Sequence, residues 1–307
     1  MSNYAIGEIL KEIRERKKCS QEEVCYGICA VSTLSRIENG RQIPSKRVLE
    51  AVTQRLGIAD YLCPTYAGKE ELIIYETGKK LAISLENADE KRTKQLIRRL
   101  EQQVESLKKV NVNVCMEEQH ILYAKAVLQK RKGAREQSIL KMMLEAVRLT
   151  LPDFDGIHMK NHFLTFQEIT ILNDIGCLYY ELGKKIEAFQ ILIGLKKYME
   201  EHIPDEKGAD KYPAIIQNMV SWLLRERSYE DALPLCEKGL ECCIAHGKMR
   251  GFPMLLYQKA TLLAETGQVD KSRECFFQSI AIFHAINQHQ QAEDIRMFAN
   301  KNYKLNL

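Results

Sequence analysis

The sequence predicts an all-α protein in two parts, a short N-terminal helical domain and a stack of helical hairpins behind it. Three observations predict it. Apolar residues recur at three- and four-residue spacing through almost all of the 307 residues, the period of a helix with one buried face. Proline is scarce and for the most part stands between periodic segments, where it interrupts no helix. Over the C-terminal half the pattern repeats with a period of about forty residues, as stacked supersecondary units do.

The elements follow in order. Ile6, Ile9, Leu10 and Ile13 form one stripe of a first helix. Ser20 opens a second, with Glu23 three residues later in the capping-box pattern. Leu34 and Ile37 continue the period in a third, which Asn39-Gly40 ends in turn chemistry. Ser45, just after Pro44, is placed to cap a fourth helix bearing Val48, Leu49, Val52 and Leu56, closed by Gly57. Residues 1–60 make this domain, 61–68 with Pro64 and Gly68 a linker, and 69–307 the hairpins. Hairpins are expected at 69–107, 116–151, 165–201, 211–246 and 250–285, with a last helix from about 289. Asn87, Gly133, Gly183, Ser228 and Gly267 are placed to turn between the arms.

The copies are clearest at 172–189, 219–233 and 259–267. Small residues, Gly176 and Ala260 on first arms and Ala188 and Ala232 on second arms, stand where two arms approach closely. Tyr179 and Leu263 fill the space between. The unit resembles the tetratricopeptide repeat, with a period longer than the usual one of about thirty-four residues.

Composition bounds the function. A formal net charge of only +4 leaves no chain-wide basic field, so a nucleic-acid partner must rest on a local motif. No apolar run reaches the roughly 18 residues of a membrane span. The N-terminus mixes charges among its apolar residues, unlike a signal peptide, and a cytoplasmic location is expected. The ten cysteines include no CxxC pair and no zinc spacing, and read as free thiols; the Cys242–Cys243 pair shows no sequence sign of activation. His158 and His162 have no further ligand nearby. No phosphate loop, metal cluster or activated nucleophile is evident, so neither catalysis, cofactor nor metal is expected.

One segment carries more. Ser20-Gln21-Glu22-Glu23-Val24, then Ser32-Thr33-Leu34-Ser35-Arg36-Ile37-Glu38-Asn39-Gly40, then Pro44-Ser45, resembles the DNA-binding domain of the lambda-repressor-like, or XRE, family over about the first sixty residues. The resemblance implies a five-helix domain of helix-turn-helix type whose third helix enters the major groove. It places Val31, Ser32 and Arg36 on the groove face. Arg36 can give two hydrogen bonds to guanine, or instead contact phosphate or a surface carboxylate. Gln21, at the start of the second helix, is implied as a phosphate contact. Arg41 and Lys46 flank the following loop, as phosphate neutralisers or as plain solvated charge. Arg14 and Glu38 are implied as an ion pair tying the first helix to the third. Ala30 departs from the family, which often has Ser or Thr capping the third helix.

An XRE domain followed by such repeats resembles the peptide-pheromone regulators of Gram-positive bacteria, the Rgg, PlcR, PrgX and NprR group. The resemblance implies a right-handed superhelix of hairpins holding a short signalling peptide on its concave face, and a homodimer reading paired half-sites. First-arm positions one turn apart then face the groove: Asn173 and Tyr180 in the third hairpin, Gln217, Asn218 and Arg225 in the fourth, Tyr257 in the fifth. Asn and Gln can both give and accept bonds to a peptide backbone. The linker is expected to let the heads move on the repeats. The alternative is a repeat scaffold that binds another protein, with DNA binding auxiliary.

Overall fold

In a computed structural model, residues 4–57, 69–109, 112–158, 163–203, 208 and 210–307 are described. The expected linker 61–68, Cys63 and His162 lie outside them. The described residues form helices and turns and fall into two compact units, Met1–Gly194 and Leu195–Leu307.

The first unit begins with α1 (Tyr4–Arg16), α2 (Gln21–Cys25), α3 (Val31–Glu38) and α4 (Lys46–Arg55). Ser20 caps α2 as expected: its hydroxyl accepts from Glu23 N at 3.1 Å while Glu23 Oε2 accepts from Ser20 N at 2.6 Å. Ser45 caps α4. Ala30 precedes α3 with no side-chain cap. Leu10, Val24, Ile28, Leu34, Ile37, Leu49 and Val52 close the core of this domain. α1 and α3 approach so closely that a Cβ on Gly7 would sit 2.0 Å from Ile37 O, so only glycine fits there.

The repeats of this unit are α5 (Lys69–Glu86) with α6 (Glu90–Lys108), α7 (Cys115–Arg131) with α8 (Glu136–Arg148), and α9 (Phe166–Glu181) followed by the first part of α10 (Lys185–His202), within which the unit ends at Gly194. Gly176 has the expected role: a Cβ there would lie 2.2 Å from Leu192 Cδ1. In the second unit α11 (Tyr212–Arg225) pairs with α12 (Tyr229–Ala245) and α13 (Phe252–Glu265) with α14 (Val269–Ala285), and α15 (His289–Tyr303) closes the chain. Ala260, Phe276, Ile280, Phe283, Ala292 and Ile295 form its C-terminal core.

All five hairpins and the last helix stand within a few residues of the expected bounds. Two turns differ. Gly133, Gly183 and Gly267 take the left-handed turn position (φ +76°, +78° and +81°), as glycine does at little cost. In the other two hairpins that position falls to Ala88 (φ +55°) and Arg227 (φ +59°), not to Asn87 or Ser228. Nothing in the type of either residue announces it. Among the described residues no helix is long and apolar enough to cross a membrane.

Candidate DNA-binding interface and repeat faces

The third helix is set by what it buries. Leu34, Ile37 and Glu38 turn inward, which leaves Val31, Ser32 and Arg36 on the opposite, exposed face. Val31 is 43% exposed, an apolar side chain the domain itself does not use. Among the described residues the Arg36 guanidinium has no partner. Arg41 is exposed just beyond the helix, where its N–H closes the turn on Arg36 O at 2.8 Å. Lys46 is half-buried, its Nζ 4.8 Å from the centre of the Tyr75 ring, a cation–π contact.

A buried carboxylate fixes α3. Arg14 Nε donates to Glu38 Oε1 at 2.6 Å and Nη2 to Oε2 at 2.9 Å, the expected pair in two-pronged form, while Nη1 reaches Cys19 O at 2.8 Å. Gln21 Nε2 donates to Glu38 Oε2 at 2.7 Å. Three donors thus answer a carboxylate that is almost wholly buried, which is what makes a charge tolerable there. That bond uses one of the two hydrogens of the Gln21 amide nitrogen.

The domain makes direct side-chain contacts to the repeats. Within Met1–Gly194 it is seated on the first arms of the repeats. Arg55 Nη2 pairs with Glu168 Oε1 at 2.9 Å, and both side chains are buried. Glu168 Oε2 meanwhile accepts from Thr165 N at 2.5 Å, completing the capping box of α9. Gln54 Oε1 accepts from Phe166 N at 3.2 Å. Arg47 Nη1 pairs with Glu117 and its Nη2 donates to Asn113 O at 2.9 Å. Gly27, at φ +67°, lets the turn after α2 lie against the end of α8, where a Cβ would meet Thr150 Cα at 2.6 Å. Sequence reasoning missed this junction. Its signals were Arg55 standing next to Leu56 on an apolar stripe, and the Thr165–Glu168 capping-box pattern.

The first-arm residues are placed unevenly. In the first unit Asn173 and Tyr180 are half-buried on α9, with the Tyr180 ring edge-on to Phe189 at 6.5 Å. Beside them Tyr123 OH donates to Asp174 Oδ2 at 2.9 Å and Lys130 Nζ pairs with Glu181 at 2.9 Å, two links from α7 that the sequence did not point to. Burial beside Asp174 raises the Tyr123 pKa well above its usual value. In the second unit Gln217 and Asn218 are half-buried and Arg225 is exposed. Tyr257 is half-buried and packs against the C-terminal core, its ring 5.6 Å from Phe298 and 6.0 Å from Phe276. Gln258, its neighbour, is buried and donates to Gln217 O at 2.9 Å, tying α13 to α11.

Residues 5–62 match the family model of a helix-turn-helix domain. The match covers the four helices just described. Over nearly the whole chain the fold is similar to that of PlcR from Bacillus thuringiensis, solved in complex with the peptide PapR7 and DNA: TM-score 0.57, 18% identity, 95% of this chain and 99% of that one. It is similar also to the apo form of the competence regulator ComR from Streptococcus vestibularis, with TM-score 0.51 and 18% identity over 98% of this chain and 99% of that one. BtubC (BKLC) from P. vanneervenii matches 72% of this chain and 93% of its own at 12% identity and TM-score 0.51. At such identities the likeness is one of fold. No curated protein matches the chain.

Proposed function

We propose that this chain is a sequence-specific DNA-binding regulator of transcription whose repeats receive a short signalling peptide. The observation that carries it is the outward face of α3, where exposed Val31 and Arg36, unpartnered among the described residues, stand on a helix that the Glu38–Arg14 pair ties to α1. An apolar side chain suits a thymine methyl and a free guanidinium suits guanine, and both base edges lie in the major groove. Gln21, Arg41 and Lys46 flank that face as phosphate contacts. The protein acts by binding and not by catalysis, in the cytoplasm. PlcR, similar in fold from end to end, was solved holding both a peptide and DNA, and this supports the pairing of partners.

Residues 1–60 are the DNA-binding domain and 69–307 the regulatory repeats, joined by 61–68. A single helix-turn-helix reads only one half-site, so the working form is a homodimer. The exposed Phe277 and Met297 of the second unit supply apolar surface for a second copy. On the peptide side, Asn173 and Tyr180 form one candidate set and Gln217, Asn218, Arg225 and Tyr257 another, and each is tested alone. Selection of duplexes from a random pool tests the DNA reading: enrichment of one paired half-site sequence supports it, and retention of an unselected pool refutes it. Mass spectrometry of the natively purified protein tests the other part. A co-purifying peptide that Asn218→Ala or Asn173→Ala loses supports the peptide reading. A co-purifying folded protein in its place favours the scaffold alternative.

A further inference from the structure

A cavity of about 320 Å³ lies inside Met1–Gly194, between the helix-turn-helix domain and the first arms α5, α7 and α9. Ile28, Ile74 and Leu100 supply apolar wall. Three polar atoms of its lining residues are buried with no hydrogen-bond partner among the described residues: Arg55 Nε, His120 Nε2 and Gln167 Nε2. Buried polar groups are nearly always paired, so three orphans among the lining residues of one cavity call for an explanation. Gly78 adds a second, independent sign. It sits inside α5, where glycine weakens a helix relative to alanine, and at no positive φ. Packing does not require it: a Cβ there would meet only the His120 ring, at an ordinary 3.6 Å. Its effect is to leave space in front of that ring.

We propose that this cavity binds a small neutral organic molecule that brings a carbonyl-type oxygen, as in an amide, on an apolar body. The orphaned Arg55 and Gln167 atoms can only donate, and a neutral imidazole can donate from one ring nitrogen, so the ligand supplies the acceptor. Burial lowers the His120 pKa to about 4 and keeps that ring neutral. The two guanidiniums on the wall are already answered by Glu117 and Glu168, so the ligand needs no charge of its own. The volume is at the lower end of ordinary small-molecule sites. This site is independent of the DNA and peptide readings and stands if either fails.

The test uses the full chain and three probes of matched size: phenylacetamide, ethylbenzene and phenylacetate. Ligand-observed NMR at millimolar probe should show phenylacetamide bound, ethylbenzene at least fivefold weaker, and phenylacetate weaker than the amide. Gln167→Leu, which keeps the volume and removes the donor, should weaken phenylacetamide at least fivefold. Gly78→Phe, which fills the space, should abolish binding with the helical circular dichroism unchanged. If Gly78→Phe does not fold, Gln167→Leu decides alone. Equal binding of ethylbenzene, preference for phenylacetate, no binding of any probe, or a Gln167→Leu protein that binds as the parent does would each overturn the proposal.

Discussion

Arg55 and Glu168, 113 residues apart in the chain, meet at 2.9 Å in a buried ion pair. One belongs to the last described helix of the helix-turn-helix domain and the other to the capping box of α9. The same carboxylate therefore starts a repeat helix and holds the domain on it. Removing one partner strands a charge out of water. Glu168→Ala and Arg55→Ala should each cost about 3–5 kcal/mol, while Arg55→Met with Glu168→Leu should recover most of it. Urea denaturation followed by helical circular dichroism measures this. A single substitution costing under about 1 kcal/mol, the range of surface pairs, would contradict the buried pair.

The left-handed turns make a second prediction. A residue with a Cβ at that position is strained by about 1–2 kcal/mol, against a backbone-entropy penalty of about 0.5–1 kcal/mol for glycine. Arg227→Gly and Ala88→Gly should thus each stabilise by about 0.5–1 kcal/mol, and Gly133→Ala should destabilise. Melting temperatures of the three variants check the signs.

His120 gives a pH dependence. Its folded pKa is lowered from 6.5 to about 4 by burial. Between those values the unfolded chain holds the proton and the folded one does not, so stability falls as pH drops from 6.5 towards 4. The loss from this group is at most about 3 kcal/mol. His120→Asn should flatten that part of the curve relative to the parent, and parallel curves from pH 4 to 7 would show that the ring is not held neutral by burial.

Much of the fold was legible in the sequence because it is local. Hairpin bounds follow from a helical period and from turn residues a few positions apart, and the Ser20–Glu23 cap spans three residues. Gly176 was readable because small residues recur at one place in each repeat. The Arg14–Glu38 pair came from resemblance, since no local rule joins residues 24 apart. What stayed hidden depends on tertiary placement. Arg55 reads as one more helix-end cation until α9 is brought to it. Arg227 enters the left-handed region because the hairpin geometry demands a turn there, whatever the residue. Tyr257 has the spacing of a first-arm surface residue, yet its ring packs against Phe276 and Phe298.

The central claim is that the exposed face of α3 reads DNA sequence. The most direct measurement is a competition-binding titration of the parent, Arg36→Ala and Lys46→Ala proteins on a selected duplex and on scrambled duplex, at rising salt. The account predicts that the parent prefers the selected duplex and loses affinity steeply with salt. Arg36→Ala should cost about 1–3 kcal/mol on the selected duplex and little on the scrambled one. Lys46→Ala should weaken both about equally and reduce the salt slope by about 1. An Arg36→Ala protein that keeps the parent's full preference would contradict the account.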